Sequence, residues 1–176
     1  MFGREEVAEV ELKKLFWEEV TDSPFVMLGL VGVEDSRTRP MTAQIDVPDG
    51  GDKEDGGQLY FFASKSESLV TAIGSGHRAV ATFSGKGHKF FAHIHGSLVV
   101  SDDGAVIERL WNPIIASWYK DGKDDPDLAL VRFDTDSANL WKAETGATLK
   151  AAALKALFDI DPGKEHQKDN RADVHL

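Results

Sequence analysis

The sequence predicts a mainly β protein of the α+β class, in which six or seven strands form a largely antiparallel barrel with flanking helices. Three observations support this prediction. Short apolar runs typical of strands recur along the 176 residues and are separated by short turns. Helical patterns are confined to the two ends and to two crossings. The longest strand pattern, residues 89–100, alternates along its length between its two faces.

The first part of the chain is predicted to contain one helix and three strands. An amphipathic helix covers about residues 5–20, and strands follow over 25–33 and 38–47. The third strand, 59–63, is nearly all apolar and contains aromatic side chains, which is typical of a buried strand. The segment 46–57 is rich in Gly and Asp and is predicted to be a mobile loop.

The middle of the chain is predicted to continue with a short helix and two strands. The helix follows Ser66 and ends at Gly74, which suits a C-terminal cap better than a dinucleotide-binding turn. Strands follow over 79–83 and 89–100. Gly96 in the second strand marks a bulge or a close approach of two backbones.

The last elements are two short helices and two closing strands. A helical stripe over 103–119 is interrupted by Asn112 and Pro113, which have the identities of a helix N-cap and a first helical residue. Two helices at an angle are therefore expected. The closing strands are predicted over 128–133 and 138–141.

A single domain is predicted over residues 1–160, ending in an Ala-rich helix over 145–158. Residues 161–176 are predicted to form a polar C-terminal tail that is frayed. No internal repeat divides the chain further.

The composition limits the classes of function. The net charge is −10, from 30 acidic and 20 basic side chains, which argues against nucleic acid or an anionic membrane surface as a partner. No apolar run reaches membrane-spanning length, and the acidic N-terminus is unlike a signal peptide. The absence of cysteine excludes disulfides, thiolate metal sites and a cysteine nucleophile, and it fits the cytoplasmic location that we expect.

The main functional signal is the segment 61–70, where an apolar strand runs into a hydroxyl-rich helix start. Ser66 stands where an N-cap is expected, and the first-turn amides of the helix would point at a ligand above it. Ser64, Lys65 and Ser68 surround the same point, and this concentration of donors suits a phosphate. The alternative is an ordinary helix start with an exposed lysine.

Arg39 supplies a second cation. It opens the strand over 38–47, and an arginine in this place can meet the helix start across a sheet and bind a phosphate through its planar guanidinium. The alternative is a surface arginine that follows the turn at 34–36.

Several motifs occur in a fixed order along the chain. They are Arg39-Pro40-Met41, the strand and helix start over 59–69, Gly96 within a strand, Glu108-Arg109-Leu110-Trp111-Asn112-Pro113, and Trp118-Tyr119-Lys120-Asp121-Gly122 followed by Asp124-Asp125-Pro126. In order and spacing they resemble the general-stress-protein branch of the pyridoxamine 5'-phosphate oxidase-like FMN-binding split barrels. The resemblance covers roughly residues 12–143.

The resemblance implies a split barrel that forms a homodimer, with FMN held at the subunit interface. FAD is possible as well, because both flavins share the ring and the first phosphate. The Arg-Pro-Met segment would lie along the flavin, and the helix start would hold the ribityl phosphate. By position, the implied cofactor-binding residues are Arg39, Pro40, Met41, Thr42, Phe62, Ala63, Ser64, Lys65, Ser66 and Leu69.

Trp111 is a further candidate for the flavin site, because an aromatic side chain beside a flavin stacks on it. The alternative is that Trp111 is simply part of the core.

The implied function is that of an FMN-dependent oxidoreductase acting on an unidentified small molecule. The alternative is a flavin-binding protein without turnover that sequesters or senses the cofactor during stress. Pyridoxamine-phosphate oxidation itself is not expected, because residues 164–176 lack the arginine-rich strand end that would hold the substrate phosphate. We nominate no catalytic residue, since no general base stands out by spacing.

His93 and His95 lie two residues apart on a predicted strand and project the same way, so they could begin a metal site. Supporting ligands are missing from their neighbourhood in the sequence. We therefore expect no metal, and the histidines would face solvent or a dimer partner.

Overall fold

The computed structural model describes residues 4–143 and 171–176. The predicted helix over 145–158 lies outside the described residues. Within them the chain forms four α-helices and eight β-strands. The helices are α1 (Arg4–Asp22), α2 (Ser68–Ile73), α3 (Gly104–Leu110) and α4 (Pro113–Ala116). The strands are β1 (Phe25–Leu30), β2 (Arg39–Thr42), β3 (Gln44–Asp46), β4 (Gln58–Ser64), β5 (His77–Ser84), β6 (Phe90–Ser101), β7 (Leu128–Lys142) and β8 (Arg171–Val174).

The strands form one antiparallel sheet in the order β2-β1-β5-β6-β7-β4-β3. Its two terminal strands, β2 and β3, are consecutive in the chain and are separated only by Ala43. The sheet must therefore curl until both of its ends meet at one chain segment, as in a barrel left open between β2 and β3. This confirms the predicted mainly β, antiparallel barrel.

The core fills the inside of this curved sheet, and α1 packs against it. Helix α1 ends at Asp22, just before Ser23-Pro24, because the residue before a proline disfavours the helical conformation. Its Phe16 is fully buried and meets the rings of Phe83 and Phe90 at centroid distances of 6.3 and 6.5 Å. Burying such a ring stabilises the fold by about 1.5–3 kcal/mol. The barrel interior is therefore filled by side chains.

Three local predictions are confirmed. Gly74 ends α2 with a φ of 55°. The pairing of β6 with β7 shifts register between His95 and Gly96, where a side chain would meet the Phe133 ring at 2.7 Å. The Asn112 carboxamide caps α4, and Pro113 is the first residue of that helix.

Two strand predictions need correction. The predicted strand over 38–47 is broken at Ala43, whose amide turns aside to donate to the carbonyl of Pro24 at 2.7 Å. The predicted strands over 128–133 and 138–141 are instead one strand, β7. The polar stretch at 134–137 does not interrupt it, because β6 continues alongside and offers backbone partners.

The prediction of a frayed tail is wrong for residues 171–174. They form β8, which pairs with the second half of β7. Ala172 and Val174 alternate with charged residues, and Val174 is buried at 2% exposure. The Arg171 guanidinium also lies 5.6 Å from the centroid of the Trp141 ring. One apolar face on four residues is thus enough to attach the strand.

The predicted loop over 46–57 also packs more closely than its composition suggested. Asp46 is the last residue of β3 and is buried, with 3% of its surface exposed. A side chain at Gly56 would contact the Trp17 indole of α1 at 3.2 Å, and one at Gly57 would approach Ile45 at 2.7 Å. The loop therefore lies against α1 and β3.

Candidate functional site

A cleft of about 510 Å³ lies where the C-terminal end of α1, the β2–β3 segment, the end of β4 and the α4 region come together. Its size is within the range of small-molecule sites. Its lining residues are Val20, Thr21, Pro24, Pro40, Met41, Thr42, Ala43, Gln44, Ile45, Lys53, Phe62, Ala63, Ser64, Glu67, Asn112, Ile114, Ile115, Trp118 and Tyr119.

Six of the predicted cofactor-binding residues line this cleft. They come from β2 and from the end of β4, and they are Pro40, Met41, Thr42, Phe62, Ala63 and Ser64. These strands are brought together because β3 pairs with β4 and continues directly from β2. The cleft therefore lies at the opening of the barrel.

The cleft offers both apolar walls and backbone hydrogen-bonding groups. Met41, Ile45, Phe62 and Ile115 supply apolar and aromatic surface. Strand β2 ends the sheet path and pairs with β1, so alternate backbone amides and carbonyls point away from β1. A planar heterocycle with donors and acceptors on its edge fits such a site, because its faces need apolar contact and its edge needs polar partners.

Two other predicted residues do not line the cleft. Leu69 is buried in the main core at 3% exposure. Trp111 packs edge-on against Phe62, with the ring centroids 5.9 Å apart, and its ring lies 6.2 Å from that of Tyr119. Trp111 therefore supports the cleft wall from behind through Phe62 and Tyr119.

The helix start differs from the prediction. Helix α2 begins at Ser68, and Glu67 rather than Ser66 occupies the N-cap position. Ser66 is instead hydrogen-bonded to Asp127: its amide donates to one carboxylate oxygen at 2.9 Å and its hydroxyl to the other at 3.2 Å. The Lys65 amide donates to the Asp127 carbonyl at 2.7 Å. These two amides therefore already have partners.

Asp127 was missed by the sequence reasoning. It immediately precedes β7, and the pairing of Ser64 with Leu128 places it beside the loop that follows β4. The hydrogen bond from the Ser66 amide is the main cause that holds the pKa of Asp127 below its ordinary value. The ionised Asp127 carboxylate thus fixes the loop at residues 64–67 through its hydrogen bonds with Ser66.

Arg39 reaches the start of α2, as the sequence predicted that it could. Its Nη2 donates to the Ser68 hydroxyl at 3.3 Å and to the Glu34 carboxylate at 3.4 Å. Its Nη1 lies 3.7 Å from the Glu67 carboxylate. The Arg39 side chain is 30% exposed, at the edge of the cleft beside Pro40 and Glu67. Lys65 is exposed nearby and attracts the Asp127 carboxylate.

Tyr119 is a second residue that the sequence reasoning did not assign to the site. Its hydroxyl donates to the Ala63 carbonyl at 2.9 Å. Burial, reinforced by the Glu67 and Asp127 carboxylates, raises the pKa of Tyr119 to about 12. It therefore remains a neutral hydrogen-bond donor at physiological pH and fixes the wall formed by α4 and the residues that follow it.

An ion pair between a buried carboxylate and a guanidinium that is 40% exposed positions α3 behind the cleft. Arg109 donates to both carboxylate oxygens of Asp46, at 3.0 Å from Nε and 2.8 Å from Nη2. Asp46 ends β3 and is buried, so the pair has the geometry in which a guanidinium compensates a buried carboxylate. It fixes α3, and with it the start of α4, relative to the β2–β3 segment.

The two histidines lie apart from the cleft, on the outer face of β5 and β6. Their rings are stacked with centroids 4.5 Å apart, and His93 Nε2 is buried without a hydrogen-bond partner in the described structure. Burial lowers the pKa of His93, and the neighbouring His95 lowers it further. Across residues 4–143 and 171–176, no group of three or more His, Cys, Asp or Glu side chains is arranged to hold a metal ion.

None of the helices in the described part of the chain is long and apolar enough to cross a membrane.

The fold defines a split-barrel protein, and the cleft is a candidate small-molecule site at the opening of the barrel. The model of the pyridoxamine 5'-phosphate oxidase-like family matches residues 11–159, and the chain belongs to this family. This confirms the resemblance found in the sequence. No curated protein sequence matches the chain.

Solved structures of general stress proteins are similar to the chain. A general stress family protein from Xanthomonas campestris pv. campestris is 48% identical, with a TM-score of 0.70 over 77% of this chain and 89% of that one. The general stress FMN/FAD binding protein from Xanthomonas citri is 47% identical, with a TM-score of 0.70 over 77% and 91%. A general stress protein 26 from Jannaschia sp. CCS1 shares the fold at 24% identity, with a TM-score of 0.70 over 94% and 98%.

Proposed function

We propose that this protein binds FMN in the cleft at the opening of the barrel and uses it as an oxidoreductase acting on a small molecule. The observation that carries the proposal is the meeting of the β2 edge and the end of β4 in one cleft, with the Arg39 guanidinium beside Ser68 at the edge of that cleft. The similarity to a general stress protein described as FMN/FAD binding supports a flavin as the ligand.

In this proposal, the residues Pro40 to Thr42 lie along the ring, where β2 supplies backbone donors and acceptors. Phe62 and Ile115 exclude water from the apolar part of the cleft. The flavin, when bound, supplies the electron transfer, and the protein binds it, orients it and restricts access to it.

The phosphate end is assigned mainly to side chains. Arg39 and Ser68 already contact each other, and Lys65 adds a second cation nearby. Ser66 and Ser64 act indirectly, because Asp127 engages the loop that carries them. This assignment moves the phosphate from the position expected at Ser66 to Ser68, two residues along the chain.

We further propose a homodimer with the flavin site at the subunit interface. The barrel interior is filled, so a ligand of this size binds on the outside or between subunits. At the mouth of the cleft, Ile114 and Trp118 are 75% and 80% exposed, although both are large and apolar. Such a patch is typical of a surface that a partner covers. The cytoplasmic location stays a prediction.

Pyridoxamine-phosphate oxidation is not part of the proposal. Arg171, the arginine of the C-terminal segment, lies over the Trp141 ring and 3.9 Å from Asp173. It is therefore engaged in attaching β8 to the sheet.

The test is to record the visible spectrum of the purified protein, denature it, and identify any released chromophore by chromatography. We expect FMN, either co-purified or bound after addition. A protein that shows no flavin and gives no heat on titration with FMN or FAD would contradict the proposal.

Turnover is tested separately, by adding NADH or NADPH under anaerobic conditions and following flavin bleaching, then reoxidation by candidate acceptors. Reduction and reoxidation support the oxidoreductase. Tightly bound flavin that stays oxidised supports the alternative, a flavin-sequestering stress protein.

A further inference from the structure

We propose that Glu34 is a specificity-determining residue, which occupies the Arg39 guanidinium until a ligand phosphate displaces it. This inference rests on the proposed function, since that function assigns Arg39 to a phosphate. In this role, the Glu34 carboxylate competes with the ligand phosphate for the Arg39 guanidinium.

The charges around Arg39 are unfavourable for an anion in the arrangement observed. Arg39 lies 3.4 Å from the Glu34 carboxylate and 3.7 Å from that of Glu67. Asp127 lies beside Lys65, so two cations face three carboxylates. A phosphate placed on Arg39 would be repelled by both glutamates unless one of them moved away.

Glu67 is fixed in its place by its backbone. Its amide donates to the Ser64 carbonyl at 3.0 Å, and its own carbonyl accepts from both the amide and the hydroxyl of Thr71 at 3.1 Å. Glu67 also lines the cleft as the N-cap residue of α2. The backbone of Glu67 is therefore anchored at the start of α2, whereas Glu34 lies on a separate turn.

Glu34 belongs to a strained turn. Glu34, Asp35 and Ser36 have φ angles of 49°, 57° and 56°, so three consecutive residues with side chains adopt the left-handed conformation. Such a conformation persists where surrounding contacts impose it. The turn is held by two backbone hydrogen bonds, from the Ser36 amide to the Val33 carbonyl at 2.8 Å and from the Arg37 amide to the Glu34 carbonyl at 3.2 Å. The Ser36 hydroxyl, which accepts from the Gly32 amide at 2.9 Å, and the Glu34–Arg39 contact add to them.

Release of Arg39 therefore has a defined route. When a phosphate takes the guanidinium, Glu34 loses its partner and its strained turn loses one of the contacts that impose it. A phosphate-bearing ligand breaks the exposed Glu34–Arg39 ion pair when it binds, so the free energy of that pair is subtracted from its binding free energy. A ligand without phosphate leaves the pair intact. Glu34 thus lowers the affinity for phosphate-bearing ligands and leaves the affinity for uncharged ligands unchanged.

The experiment is calorimetric titration of the full chain with FMN, riboflavin and inorganic phosphate, before and after Glu34→Gln. The matched control is Asp35→Asn, which removes one negative charge from the neighbouring exposed residue. We expect Glu34→Gln to tighten FMN and inorganic phosphate by about two- to five-fold, the range of an exposed ion pair. Riboflavin affinity stays unchanged, Asp35→Asn has a smaller effect, and the gain disappears when Arg39→Ala is added.

The inference is overturned if Glu34→Gln leaves or weakens phosphate affinity, if riboflavin gains equally, if Asp35→Asn gives the same gain, or if the gain survives Arg39→Ala. Should no variant bind either flavin while inorganic phosphate follows the expected pattern, the proposed function fails and the role of Glu34 stands. Absence of phosphate binding in every variant overturns the inference itself.

Discussion

At the scale of single residues, the proposed phosphate position depends on two cations, Arg39 and Lys65. The double variant Arg39→Ala, Lys65→Ala should weaken FMN binding, because each charge-assisted hydrogen bond contributes about 1.5–3 kcal/mol. Both side chains are partly or largely exposed, so the lower end of that range applies, and each loss is about tenfold in Kd. Calorimetric titration measures the change. The control is Arg37→Ala, which removes an exposed arginine two residues from Arg39. An unchanged FMN affinity in the double variant would show that the phosphate does not bind at the assigned position.

Asp127 gives a second prediction at this scale, about stability rather than affinity. Because the pKa of Asp127 is held below 3.8 in the folded protein, its ionised form stabilises the fold at neutral pH. That contribution is present above pH 3.8 and is lost as the pH falls through the lower, folded value. Asp127→Ala should therefore reduce the free energy of unfolding at pH 7, and its difference from the unchanged protein should shrink below pH 3.8.

Urea unfolding at a series of pH values checks this expectation. Asp124→Ala, which removes an exposed carboxylate from the same loop, serves as the matched control. A deficit for Asp127→Ala that stays constant down to acidic pH would mean that the charge of Asp127 has no part in holding the loop.

At the scale of elements, α4 connects stability with the site. The Asn112 carboxamide accepts hydrogen bonds from the amides of Ile114 and Ile115 at 3.0 and 3.1 Å. Asn112→Ala should lower the free energy of unfolding by about 1 kcal/mol through loss of this cap. FMN affinity should fall as well, because both isoleucines line the cleft. Denaturant titration and calorimetry measure the two effects, and Asn112→Ser, which keeps a capping oxygen, should restore most of both.

The two helix starts near the site explain why one was predicted and the other was not. For α4, the cap is formed by residues that adjoin in the sequence, so Asn112-Pro113 was sufficient to predict it. For α2, the predicted cap Ser66 bonds to Asp127, which is 61 residues away. A local capping pattern contains no information on such a partner, and the helix start was placed one residue too early.

At the scale of the whole molecule, the barrel could be predicted because alternation shows directly in long strands such as β6. The same reasoning could not show that β2 and β3 form the two ends of the sheet, because the break at Ala43 depends on a hydrogen bond to Pro24. It also missed β8, because the apolar alternation of this strand covers only four residues. The strand is attached to the sheet through Val174 and Arg171. Six predicted site residues meet in the cleft. Asp127 and Tyr119 could be assigned only from the structure, because Asp127 is placed by the pairing of β4 with β7 and Tyr119 by its hydroxyl contact with the Ala63 carbonyl.

The proposed homodimer is the prediction that belongs to this scale. Ile114 and Trp118 together expose a large apolar surface at the mouth of the cleft, and covering it by a second subunit would remove it from water. Sedimentation should therefore show twice the mass of one chain, and Trp118→Ser should shift the protein toward monomers and weaken FMN binding together. Val10→Ser, at an apolar residue 67% exposed on α1, is the control that should leave both unchanged. A dimer that persists with normal FMN affinity after Trp118→Ser would place the interface elsewhere, for example on the sheet face that exposes Phe25 and Met27.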